Sequence, residues 1–149
     1  MSEILSIPIL VTAFGAMLIA GLLKVPIQYF IKKKLDWSLI FDTGGMPSSH
    51  SALITGAALS IGLFVGFDTP IFALAVALAT IVTYDAAGVR RQAGIHAQRI
   101  NMILAEVFSG HPISETQLKE VLGHTPFEVM AGVFTGLATA LIVWLIWPK

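Results

Sequence analysis

Four stretches of this chain carry no Asp, Glu, Lys or Arg, and polar turns separate them. Ile4 to Leu23 is the first, 20 residues long. At ~1.5 Å rise per residue a helix of that length spans roughly 30 Å, the hydrocarbon thickness of a bilayer. Pro8 falls in its first turns, where a missing N–H does least harm. Lys24 is expected to end this helix. The segment after it carries Lys32, Lys33 and Lys34 and then Trp37, the pattern of a headgroup-level anchor. Met46 to Phe67 is the second stretch, with small residues four apart at Ala52, Gly56 and Ser60, a face on which two helices in lipid approach closely. The turn Gly66-Phe67-Asp68-Thr69-Pro70 leads to the third, Ile71 to Tyr84. That run is short for a span, so it either crosses with little tilt or continues past Asp85 with the carboxylate facing protein.

Asp85 to His124 is the longest polar stretch. Ile95, Ile103, Leu104, Val107 and Phe108 predict an amphipathic helix to about Phe108, which Ser109-Gly110-His111-Pro112 breaks. A short helix is expected over Ser114–Leu122, with Ser114 and Gln117 as a capping box and Gly123 as the C-cap. Thr125-Pro126-Phe127-Glu128 has Thr at the N-cap, Pro at N1 and Glu at N3 of the last helix. Val129 to Pro148 then runs 20 residues without charge, towards Trp144, Trp147 and Lys149 at an interface.

Composition agrees with a lipid surround: 56% hydrophobic, 12% charged, mean hydropathy +0.83. A soluble chain of 149 residues needs more polar surface. The expected fold is therefore all-α and integral to the membrane: one domain over residues 1–149, about four transmembrane helices, and amphipathic helices in a cytoplasmic loop. Zero net charge gives no basic excess for nucleic acid. Without cysteine there is no disulfide or thiolate chemistry. The amino end has Glu3 and no basic segment before the first run, so that run reads as retained.

Four spans put the loops Lys24–Gly45 and Asp85–His124 on one side. They hold Lys24, Lys32, Lys33, Lys34, Arg90, Arg91, Arg99 and Lys119, while the other side has only Lys149. The positive-inside rule makes the loop side cytoplasmic. Lys24, His50, Asp85, Arg90, Arg91, His124 and Glu128 then all lie at one membrane face.

The chemistry centres on Gly44-Gly45-Met46-Pro47-Ser48-Ser49-His50-Ser51. Glycines, hydroxyls and a histidine entering an uncharged helix suit an anion at a helix N-terminus; a polar cap on a membrane helix has the same look. Arginine and lysine supply phosphate-binding donors. One histidine can take a phosphoryl group and the other can move the proton. Cationic side chains serve in place of a metal, so no metal or other cofactor is expected. Glu128 reads equally as a capping carboxylate, and the arginines as lipid anchors.

Pro47-Ser48-Ser49-His50 resembles the Pro-Ser-Gly-His signature of the type 2 phosphatidic acid phosphatase and vanadium haloperoxidase superfamily, and His124-x-x-x-Glu128-Val129-x-x-Gly132-x-x-x-Gly136 its histidine motif. With Tyr84-Asp85-Ala86-Ala87-Gly88-Val89-Arg90-Arg91, the whole chain is similar to that superfamily's small divergent branch. The resemblance implies a metal-independent lipid phosphatase in the bacterial plasma membrane, working on phosphatidylglycerophosphate, phosphatidate or polyprenyl diphosphate. By it His124 is the nucleophile, His50 the general acid, and Glu128 orients His124. Lys24, Ser48, Ser49, Arg90 and Arg91 hold the phosphate. The chain departs from the pattern: Ser49 stands for glycine, Glu128 for aspartate, and Arg91 and His124 lie 33 positions apart (124 − 91). Arg90-x5-His96 offers a rival nucleophile. An inactive protein that binds anionic lipid or scaffolds a partner is the alternative function. A homo-oligomer through the small-residue faces is a further expectation.

Overall fold

The computed structural model describes residues 2–33, 37–40, 44–107 and 123–148. The described residues form five α-helices and no strand: α1 (Ser2–Lys32), α2 (Ser49–Phe64), α3 (Pro70–Ala87), α4 (Val89–Val107) and α5 (Pro126–Ile146), with a 3-10 turn at Trp37–Ile40. The short helix expected over Ser114–Leu122 and the Ser109–Pro112 break lie outside the described residues.

Among the described residues three stretches are long and apolar enough to cross a membrane: Ile7–Phe30, Pro70–Leu104 and Pro126–Ile146. The fourth, α2, has 16 residues, about 24 Å at 1.5 Å per residue. It is short for a span, and it is central: α1, α3 and α5 all pack on it. The packing is inverted relative to a soluble protein. Ala16 and Ala20 of α1 meet Ala52 of α2 with no exposed surface, while Phe14, Ile81, Phe134 and Leu145 are 60–70% exposed. Small residues inside and large ones outside is what lipid demands: hydrocarbon solvates Leu and Phe as well as a core does, so helices associate where backbones come close. The stripe Ala52, Gly56, Ser60 is buried within the chain, with Gly56 facing Ala16 and Gly136.

The clearest departure from expectation is α1. It does not stop at Lys24 but runs to Lys32 through Pro26. Lys24 is instead among the largest fully buried side chains. A single charge in an apolar run reads as a helix end, but once neighbouring helices cover it the helix need not break there. The third run behaves as its longer alternative: α3 passes half-buried Asp85 and reaches Ala87. Gly88 (φ −106°, ψ −83°) then interrupts it for one residue before α4. Backbone bonds hold both sides of the break, Gly88 N–H to the Tyr84 carbonyl (2.9 Å) and Gln92 N–H to the Gly88 carbonyl (3.0 Å).

Candidate active site

The site is built where the first turns of α2 and α5 meet. The turn Gly44–Pro47 delivers α2; Gly45 has φ +83°, which favours glycine, and Met46–Pro47 is cis. Ser48 caps α2, its Oγ accepting from the Ser51 N–H (3.4 Å) and from the Ser51 hydroxyl (3.0 Å). The Ser48 N–H is not left to solvent: it donates to the Glu128 carbonyl, 3.0 Å away, and so joins the two helix starts. Gly132 and Gly136 allow this approach. A Cβ at Gly132 would collide with the Ser48 carbonyl, and one at Gly136 with Thr55 Oγ1 and the Ala52 carbonyl.

At the start of α5 the expected capping box is present. Thr125 Oγ1 accepts from the Glu128 N–H (3.3 Å), and Glu128 Oε2 accepts from the Thr125 N–H (2.9 Å). The same Oε2 lies 3.3 Å from His124 Nδ1. Capping and orienting are thus not alternatives; one oxygen does both. A carboxylate only accepts, so Nδ1 carries the proton and Nε2 is left with its lone pair. His124 is 3% exposed, and its Nε2 has no hydrogen-bond partner. Ser49 Oγ, in the first turn of α2, is likewise buried without a partner. Buried polar groups are nearly always satisfied. Two unsatisfied ones at a single helix junction fit a site that receives hydrogen-bonding atoms from a ligand.

The electrostatics tie in two further residues. Burial holds the His124 imidazole below its ordinary value; the Glu128 carboxylate pushes it back up, and Lys24 and His50 push it down. Lys24 from α1 and His50 from α2 are therefore near enough for their charges to act on His124. Lys24 is buried and His50 is exposed.

The structure thus gathers Lys24, Ser48, Ser49, His50, His124 and Glu128. It does not gather Arg91 with them. Half-buried Arg91 is on α4, which among the described helices packs against α3 and not against α1, α2 or α5; Arg90 is on the same helix, its side chain outside the description. His96, the rival nucleophile, is exposed on α4. Ser51 closes the Gly44–Ser51 stretch but had no role of its own in the sequence; here its hydroxyl donates to Ser48 Oγ. Its signal was the Ser48-x-x-Ser51 spacing, which puts a second hydroxyl at the N3 position of the cap.

The description "Divergent PAP2 family" matches residues 5–139. The chain is 41% identical to an uncharacterized membrane protein, YuiD of Bacillus subtilis (strain 168), over 90% of this chain and 92% of that one. No solved structure matches it.

Proposed function

This membrane protein belongs to the divergent PAP2 family, and on that premise we propose that it is a metal-independent lipid phosphatase acting through a phospho-histidine. The observation that carries the reading is His124: buried, its Nδ1 held by Glu128, its Nε2 without a partner, beside Lys24, His50 and the start of α2. The first N–H groups of α2, the Ser49 hydroxyl and Lys24 receive the phosphate oxygens. Nε2 attacks phosphorus, the bond to the lipid oxygen breaks, and protonated His50 gives that oxygen its proton. Water then attacks phospho-His124, the P–N bond breaks, His50 takes the water's proton, and phosphate leaves. Arg90 and Arg91, one helix away, add charge as the lipid headgroup arrives. The site faces the cytoplasm by the distribution of lysines and arginines. Phosphatidylglycerophosphate, phosphatidate and newly made polyprenyl diphosphate are then within reach.

The test is phosphate release by the purified chain from these three lipids. Release that vanadate inhibits, and that His124→Ala and His50→Ala each abolish in folded protein, is the expected result. No release from any of them leaves the anionic-lipid-binding reading instead, and release untouched by both substitutions contradicts the phospho-histidine route through His124 and His50.

A further inference from the structure

A cleft of about 340 Å³ opens between α3 and α5, floored by α2. It exists because α3 and α5 both pack on α2 while barely touching one another. Small residues set its depth, Ala58 and Ala79 among them, and Leu59, Phe72, Val76 and Leu137 form walls. Its volume is at the low end of the ~300–1,000 Å³ typical of small-molecule sites.

Three threonines line it, yet it offers almost no polarity. Thr55 Oγ1 donates to the Ser51 carbonyl (2.6 Å), Thr80 Oγ1 to Val76 (2.9 Å) and Thr83 Oγ1 to Ala79 (2.8 Å). Each hydroxyl proton is turned back onto its own helix, so none is offered to the cleft. A polar ligand would lose its hydration there without replacement; a hydrocarbon chain would lose nothing.

The cleft has a direction. α2 and α5 start at the candidate site and α3 returns along α2 after a short turn, so Thr55, Thr83 and Val133 mark the near end and Phe72 the far end. Thr55 lies one helical turn from Ser51, and Val133 follows Gly132, which packs on Ser48. From Thr83 to Phe72 is 11 residues (83 − 72) of α3, about 16 Å at 1.5 Å per residue. Half of a ~30 Å hydrocarbon core is ~15 Å. The cleft thus descends from the site through one leaflet.

We propose that this cleft holds one acyl chain of the lipid whose phosphate lies at His124. The inference rests on the phosphatase reading only for the identity of the site at its near end, and its test needs no turnover. The full chain is reconstituted in nanodiscs with a phosphatidate carrying a diazirine in one acyl chain, and with the diacylglycerol of the same chains. After irradiation, labelled peptides are mapped. The phosphatidate probe is expected to label residues 76–83 and 133–137 at least five-fold more than the diacylglycerol does. Filling the cleft with Ala79→Phe, or at its exposed rim with Thr80→Trp, is expected to cut that labelling at least five-fold in protein of unchanged helix content. Equal labelling by the two probes, or labelling that neither substitution lowers, overturns the inference. Groove labelling without phosphate release retires the phosphatase reading alone; release with unfocused labelling retires the cleft alone.

Discussion

At the scale of single residues, the account turns on Glu128 Oε2, which serves both Thr125 and His124. Glutamine preserves the cap but not the charge. Glu128→Gln should leave the thermal midpoint close to wild type, because the cap is worth only ~1 kcal/mol even when lost outright. It should lower kcat on the order of 10²-fold, since the imidazole loses its orienting anion. A variant that keeps both its thermal midpoint and its kcat would make Glu128 a capping residue only. The pH behaviour of His124 has a definite sign. Burial, Lys24 and His50 hold its folded value below 6.5, against the upward push of Glu128. Its ring therefore stays neutral and nucleophilic in more acid than a free imidazole does. The acidic limb of kcat/KM set by His124 should lie below pH 6.5, and Lys24→Met should move it upwards. Stability follows the same linkage. Between the lowered folded value and the unfolded value of 6.5 the unfolded chain binds more protons, so stability falls with acid there. A thermal midpoint measured from pH 7.5 to 5 should drop less in His124→Asn than in wild type. The cap was legible in the sequence because its code lies within four consecutive residues, Thr125 to Glu128. The pairing of His50 with His124 was legible only as a shared membrane face, since no local rule joins residues 74 apart (124 − 50); the family resemblance alone assigned which histidine does what.

At the scale of elements, close helix approach is the cohesive device, and two glycines in α5 and α1 separate packing from propensity. Gly132→Ala forces a methyl onto the Ser48 carbonyl and should destabilise the α2–α5 junction by roughly 1–3 kcal/mol. Gly15→Ala meets nothing within 4 Å, and should be neutral or up to about 1 kcal/mol stabilising through helix propensity. Thermal unfolding in one detergent compares the pair; equal effects would mean that backbone approach at Gly132 is not what holds the junction. The glycine spacing four apart was readable in the sequence, but its partner was not. A small-residue stripe states that something comes close without naming what. The same limit applies to α1: the apolar run predicted its crossing, whereas the burial of Lys24 depends on helices over 20 residues away.

At the scale of the whole molecule, orientation decides which lipids the site meets. The sequence carries no cysteine, so single introduced cysteines report cleanly. On intact cells, an impermeant maleimide should label Asp68→Cys, in the α2–α3 turn, and not Gln92→Cys on α4, both exposed. The reverse pattern would move the site to the outer face and favour recycled polyprenyl diphosphate as substrate. The fold class was legible throughout, since lipid imposes length and apolarity on each span. The position of α4 was not. Arg90 and Arg91 look like site residues in the sequence, yet their helix packs on α3 alone among the described helices, because an amphipathic pattern fixes a face and not a neighbour. All of this converges on whether His124 carries the phosphoryl group. The direct measurement is a rapid alkaline quench of the protein with lipid bearing labelled phosphate, followed by peptide mapping. The account predicts acid-labile, alkali-stable label on His124, absent in His124→Ala and accumulating when the second step is slowed. Phosphate release with no label on His124, or label on His96, would contradict it.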